Sequence, residues 1–332
     1  MLFVYKQTGI IGCKGETVCR KENVMKKKIL FCILAIFTCI SLVGCGDGSN
    51  YNKAADYEEE GDYSAALEIY ETIPDYKDSK ERITYCESMI SAIDSFDKAK
   101  ETLNQKNSEL DEEIAKAENL IAEGKTPLDE ELKPALETAI SDAKAAKVNV
   151  PEMPETADEI SSEAKKMEEA DYTDSLDSLS SAYTDLDKSI RQYELVDAPE
   201  ESYVVECLHN VPDVEDISAV TEETDPNGLL NKAGSYTAFV IFSSDLVDQS
   251  DVLGDTIAEK GTACGGGVEV FANVEDAEKR DEYLGTFDGT IVRPGSHKVV
   301  GTVIVRTSDE LTASQQKELE ENVIAALTDL GE

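Results

Sequence analysis

Among the eight cysteines of this 332-residue chain, Cys45 is the one whose neighbours prescribe a chemistry. It follows Leu42-Val43-Gly44, the end of a 15-residue apolar run, Ile29 to Val43, that itself follows Met25-Lys26-Lys27-Lys28. Basic residues, a short apolar core and small residues before a cleavage point are the three regions of an export signal. A permanent membrane span takes about 20 apolar residues, so this run is short for one. A thiol at that point is placed to receive a covalent lipid. The layout requires translation to begin at Met25, because residues 1–24 carry no helical or strand period. An uncleaved anchor helix is the alternative, and it too leaves the rest of the chain outside.

The remaining candidates for chemistry are weaker. Four cysteines (Cys13, Cys19, Cys32, Cys39) precede Cys45, which leaves Cys86, Cys207 and Cys264. Three widely spaced thiols form neither a disulfide framework nor a metal knuckle. In Gly261-Thr262-Ala263-Cys264-Gly265 the cysteine adjoins the second glycine, whereas a nucleophile elbow centres it. The chain has two histidines, His209 and His297, and no spacing ties either to Cys264 as a base. Gly124-Lys125-Thr126 lacks the earlier glycine of a phosphate loop, with Asn119 in its place. Glu223-Thr224-Asp225-Pro226-Asn227-Gly228 starts like a calcium loop, but Gly234 stands where the twelfth-position Glu belongs. A looser oxygen cage drawing on Asp213, Asp216 or Glu222 stays open; a plain turn explains the segment without metal. No catalytic residue, metal ligand or cofactor is expected.

Leu42-Val43-Gly44-Cys45 resembles the lipobox of bacterial lipoproteins, with Leu42, Val43 and Gly44 read by the signal peptidase and Cys45 becoming the first mature residue. The resemblance implies a diacylglyceryl group on the Cys45 sulfur, hence a membrane partner through the lipid and a place on the extracytoplasmic face of the cell membrane. Two chains or more make such anchoring stable. Ala54, Tyr57, Gly61-Asp62-Tyr63, Ala66 and Tyr70 resemble a single tetratricopeptide repeat, with Asp75-Tyr76-Lys77-Asp78-Ser79 similar to the endings of such repeats in Gram-positive surface proteins. Ile73 departs from that pattern, and one copy cannot bury its own apolar face, so it should pack on the helix that follows. The C-terminal part, including Lys279-Arg280-Asp281-Glu282-Tyr283-Leu284, is similar to uncharacterised lipoproteins of Gram-positive anaerobes. That resemblance implies location and architecture, and no activity.

The elements that would position these groups follow from periodicity. Residues 1–44 are leader and signal peptide, 45–50 a lipidated flexible tether, 51–79 the tetratricopeptide-like hairpin. Met89, Ile93, Phe96, Ala99, Leu103, Leu110, Ile114, Ala117 and Ile121 then keep three-four spacing, with polar Asn107 on the seam. Thr126-Pro127 should restart a helix as cap and first residue, using Leu128, Leu132, Leu136, Ile140 and Ala143. A third helix should run from Glu155 to Val196 on Tyr172, Leu176, Leu179, Tyr183, Leu186, Ile190 and Tyr193. Residues 80–197 thus read as an elongated three-helix bundle or coiled-coil stalk. Both seams lie in one chain, which favours pairing within it over self-association.

Residues 198–332 read as an α+β domain. Strands are expected at Ile217–Thr221, Ser235–Ser243, Gly267–Ala272 and Lys298–Thr307. Helices are expected at Glu200–His209, Asp251–Lys260, after the Asn273 cap and after the Thr312 cap. Strands separated by helices suggest a mixed sheet with a crossover, with a ferredoxin-like sandwich as one candidate. The fold class is therefore multidomain, mainly α with a C-terminal α+β domain.

Charge narrows the partners. The chain has 31 Lys and Arg against 70 Asp and Glu. The first 44 residues hold seven basic and two acidic side chains, leaving 24 against 68 and a net of −44 for the rest. Such a body repels phosphate backbones, so no nucleic acid partner is expected. With no Trp it also lacks the largest of the usual binding anchors. Anchor, spacer and domain without a catalytic constellation lead to one expectation: a non-enzymatic binding or scaffolding protein of the cell envelope, with an envelope protein as partner. A solute-binding lipoprotein of a transporter and an envelope hydrolase are the alternatives.

Overall fold

The computed structural model describes residues 46–290 and 294–331, which form two compact units divided between Asp94 and Ser95. Leu42, Val43, Gly44 and Cys45 lie outside the described residues. No described helix is long and apolar enough to cross a membrane.

In the first unit, α1 (Asp47–Glu59) and α2 (Tyr63–Tyr70) form a hairpin against the first turns of α3 (Ser79–Ala122). The turn works because Gly61 takes φ +80°, a region a side chain disfavours. Asp62 then caps α2 by accepting the Ala65 N–H at 3.0 Å. Ala54, Ala66, Tyr70 and Cys86 form the core, edged by Tyr51, Tyr57, Tyr63 and Ile83. The hairpin therefore buries its apolar face on the helix that follows. The Arg82–Glu58 ion pair at 2.9 Å closes the edge of that core. The flexible tether expected over 45–50 is corrected, since α1 is already helical at Asp47. Gly48 permits this: a Cβ there would stand 3.0 Å from the Tyr76 hydroxyl, so the bare backbone fits where a side chain would crowd.

In the second unit the remaining length of α3 packs with α4 (Leu132–Ala146), α5 (Ala157–Glu168) and α6 (Thr173–Leu195). Phe96, Ala99, Leu103, Leu110, Ile114 and Ala117 are buried along α3 as the seam predicts, while Leu120 takes the place expected of Ile121. A straight helix drifts against a seven-residue repeat, which moves the buried stripe by one position at its ends. The expected third helix is two, because α5 ends at Glu168 and α6 starts at Thr173. Asp171 makes the break, accepting the Thr173 N–H at 3.0 Å and hydroxyl at 2.6 Å. Lys106 holds it open by donating to the Ala170 carbonyl at 2.5 Å. The expected helix start at Thr126-Pro127 is also displaced, to Leu132. Ser189 of α6 takes up the intervening backbone: its Oγ accepts the Asp129 N–H at 2.8 Å and its carbonyl the Leu128 N–H at 3.1 Å.

Asn107 pairs inside the chain. Tyr172 donates its hydroxyl to Asn107 Oδ1 at 2.6 Å and accepts the Val148 N–H at 2.9 Å, while Asn107 Nδ2 donates to the Val148 carbonyl at 3.0 Å. Three segments distant in sequence thus share one closed polar node on the seam.

After α7 (Glu201–Leu208), the strands β1 (Val214–Ala219), β2 (Ala238–Ser244), β3 (Gly265–Val270), β4 (His297–Val300) and β5 (Val303–Thr307) form one sheet in the order β1-β2-β3-β5-β4. Every neighbouring pair is antiparallel. This confirms a C-terminal α+β domain and corrects the mixed sheet: the expected single strand Lys298–Thr307 is a hairpin, folded at Gly301-Thr302. One face carries Val240, Phe242, Val268, Val270, Val303 and Val305 under α7 and α10 (Ala313–Leu327). The other carries Phe239, Ile241, Phe271 and Ile304 under α9 (Val274–Gly285). Alternation along each strand sorts these residues to opposite faces. The helix expected over Asp251–Lys260 shrinks to α8 (Ile257–Lys260), held by a Thr256–Glu259 capping box. Asn273 and Thr312 cap α9 and α10 as expected, accepting the backbone N–H groups of Asp276 and Gln315.

The β4–β5 turn docks on the end of α6. Thr302 N donates to the Val196 carbonyl at 3.0 Å, and the Ala198 N–H donates to Thr302 Oγ1 at 2.6 Å. Gly301 sits at φ +61°, and a Cβ there would stand 2.7 Å from the Val196 carbonyl oxygen. Gly301→Ala should therefore cost at least about 2 kcal/mol in chemical denaturation, combining strain and overlap. Tyr172→Phe should cost about 1 kcal/mol, since it removes the buried hydroxyl that joins half-buried Asn107 to the Val148 N–H. A loss below about 0.5 kcal/mol would mean that water replaces the hydroxyl.

Candidate functional site

The described residue that most offends the burial rules is Glu269, a carboxylate with 0% exposure in the central strand β3. Unpaired, such a group would cost several kcal/mol. Two arginines answer it. Arg280 on α9 donates from Nε to Oε2 and from Nη2 to Oε1, both at 2.9 Å, a bidentate fork. Arg306 on β5 donates from Nη1 to Oε1 at 3.0 Å.

Local sequence sets this geometry. Asn273 fixes where α9 begins, and Ala277, Arg280 and Leu284 then fall three and four residues apart on the face turned to the sheet. Glu269 pairs across the sheet with Phe239 on β2 and Ile304 on β5, so all three project to the α9 side with Arg306. Gly267 lies opposite Arg306, and a Cβ there would come within 2.7 Å of the Phe239 ring. Burial works against the Arg280 charge, and its hydrogen bonds and attraction to Glu269 outweigh that, raising its pKa above the ordinary value.

A cleft of about 720 Å³ opens beside this triad, within the range of small-ligand sites. Arg280 and Arg306 line it, with Lys279 and Tyr283 of α9, Phe287 just beyond that helix, and Asn227, Leu229 and Lys232 of the β1–β2 connection. Tyr283 is 54% exposed and packs edge-on against Phe287 at 5.2 Å between centroids. Arg280 lies 5.5 Å from the Tyr283 ring centre, a cation–π distance. Arg306 Nε is buried and has no hydrogen-bond partner among the described residues.

Other sequence candidates resolve into structural roles. Cys264 is fully buried and donates to the Gly261 and Phe242 carbonyls at 3.1 and 3.4 Å. Burial pushes its thiol up to about 11, the reverse of what a nucleophile needs. Cys86 and Cys207 are likewise buried and free. His297 opens β4 with Nδ1 at 2.6 Å from Asp281 and Nε2 at 3.5 Å from Asp288. His209 ends α7 on the Val205 carbonyl at 2.7 Å. Gly124 ends α3 at φ +67°, and Lys125 pairs with Glu194 at 3.0 Å.

Asp225 organises the turn once weighed for calcium. Its oxygens accept the N–H groups of Asn227, Leu229 and Leu230 at 3.0, 2.6 and 2.7 Å and the Tyr236 hydroxyl at 2.8 Å. Glu222 instead accepts from Asn231 at 3.0 Å. Among the described residues no group of three or more His, Cys, Asp or Glu side chains could hold a metal ion.

Sequence reasoning passed over Glu269, Arg280 and Arg306 as site residues. The available signal was a charge inside each of two short apolar strands, Gly265–Val270 and Val303–Thr307. No protein-family model matches this chain, no curated protein matches its sequence, and no solved structure matches its fold.

Glu269→Gln should cost at least about 3 kcal/mol in urea denaturation, because it leaves two buried guanidiniums without a counter-charge. Asp225 supplies a pH test. Burial alone would raise its pKa, but the donors around it prevail and lower it below the ordinary carboxylate value. Its contribution is thus present above the unfolded carboxylate pKa and lost as pH falls through the folded one. Asp225→Asn should lower stability at neutral pH and flatten the acid limb of a stability–pH curve. An unchanged acid limb would contradict the role assigned to this carboxylate.

Proposed function

We propose that this chain is a lipoprotein of the cell envelope, anchored through Cys45 to the extracytoplasmic face of the cell membrane, which acts by binding or scaffolding and not by catalysis. The observation that carries this reading is the run from Met25-Lys26-Lys27-Lys28 through the apolar residues to Leu42-Val43-Gly44-Cys45. The start of α1 at Asp47 supports it, because a helix two residues after Cys45 would hold the first unit close to the lipid. A charge of −44 beyond residue 44 would keep that body off anionic headgroups, leaving the acyl chains to hold it. The buried Cys264, whose thiol burial pushes up, speaks against a cysteine-dependent hydrolase, and the cleft beside Glu269 offers a place for a ligand.

The test is metabolic labelling with an alkynyl fatty acid in a bacterial host, followed by detergent phase partitioning. The full-length chain should take the label and enter the detergent phase; Cys45→Ala should lose the label and stay aqueous. An unlabelled full-length chain would remove the anchor from this reading. Turnover of an envelope substrate by the purified protein, abolished by one substitution, would remove its non-catalytic half.

A further inference from the structure

The triad beside the cleft is not neutral. One carboxylate, Glu269, serves two guanidiniums, and the side chains of Arg280, Arg306 and Glu269 are 11%, 10% and 0% exposed. A positive charge therefore remains where water cannot fully solvate it, and Arg306 Nε finds no hydrogen-bond partner among the described residues. The described residues that line the cleft include no Asp or Glu. Outside it, Glu275 and Asp276 pair with Lys279 at 2.7 and 3.7 Å, and Asp281 lies 2.6 Å from the His297 ring. Lys232 on the cleft wall makes no ion pair among the described residues and adds to the excess. This occurs on a chain with a net charge of −39, whose far field repels anions. Salt screens that field beyond about 8–10 Å, so a small anion at the cleft would meet mainly the local positive charge.

We propose that this cleft binds a small organic carboxylate, its carboxylate facing the Arg280–Arg306 pair and its apolar body lying against Leu229, Tyr283 and Phe287. The net single charge of the buried triad selects a monoanion over a doubly charged phosphomonoester. The planar guanidinium matches a carboxylate edge to edge. The aromatic edge formed by Tyr283 and Phe287 offers area for an apolar body, which a bare inorganic anion would leave unused. This inference deepens the binding role proposed above by naming a ligand class, and it does not depend on the lipid.

The experiment is a ¹⁹F NMR titration of the full-length chain in a non-ionic detergent, with 4-fluorophenylacetate as probe. The amide 4-fluorophenylacetamide and the ester 4-fluorophenyl phosphate serve as comparisons. For a probe this small, saturable broadening with a Kd of about 1 mM is expected, with the amide about tenfold weaker. Arg306→Met should abolish binding; because it disturbs a buried ion cluster, the surface variant Tyr283→Ala is measured beside it and should weaken binding about fivefold. Four results would each overturn the assignment: no saturation by about 10 mM, equal binding of acid and amide, tighter binding of the phosphate ester, or an affinity unmoved in Tyr283→Ala. Since fatty-acid labelling reads the anchor separately, an empty cleft on a labelled protein would sink this inference alone.

Discussion

A single buried carboxylate constrains the C-terminal half of this protein. Glu269 lies in the middle strand of five, between β2 and β5, with no solvent of its own. Its burial is costly unless cations are brought to it, so the helix carrying Arg280 must dock at one register on the sheet and β5 must present Arg306 beside it. Apolar burial around Phe239, Phe271 and Ile304 would tolerate small slips of α9. The bidentate fork does not, because both of its 2.9 Å contacts fail together. The cleft is a consequence of this register, since its walls come from α9 and the β1–β2 connection on either side of the triad.

A second constraint joins helices to sheet within the same unit. The Thr302 backbone and hydroxyl meet Val196 and Ala198 as α6 ends, and Gly301 supplies a backbone without a side chain at the contact. Four polar groups are satisfied in a few residues, all of them backbone or near-backbone. Orientation here is therefore set by the main chain, and neighbouring side chains serve mainly to exclude water.

How much of this was legible depended on the range of the interaction. Helix content, the α3 stripe from Phe96 to Ala117 and the caps at Asn273 and Thr312 are local, and their residue types announce them. The break at Asp171-Tyr172-Thr173 is local too, but its signal was masked by apolar positions that keep helical spacing across it. The split of Lys298–Thr307 turned on Gly301, a lone glycine inside an otherwise strand-like run. The triad was least accessible: Arg280 and Arg306 stand 11 and 37 positions from Glu269, and no periodicity links them. Asn107 was visible as an exception to its seam, whereas its partners, Tyr172 and Val148, came from segments that only the fold brings together.

The tyrosine-rich first unit has a consequence for how this molecule is observed. With no Trp in the chain, ultraviolet absorbance and emission come mainly from 13 tyrosines, and six of them lie between Tyr51 and Tyr85. Several are tightly coupled: Tyr51 stands 5.6 Å from Tyr70 and 5.8 Å from Tyr76, and Tyr63 stands 5.9 Å from Tyr85. The hydrogen bond to Asp78 pushes the Tyr51 phenol up to about 12, so it resists ionisation in alkali that titrates an ordinary tyrosine. The second unit holds six more, so the two units contribute equal numbers of described tyrosines to the near-ultraviolet spectrum, while far-ultraviolet circular dichroism is weighted towards the second, which holds most of the helix. Above the ordinary phenol range, the protonated Tyr51 therefore remains as a reporter of the small unit with no label attached.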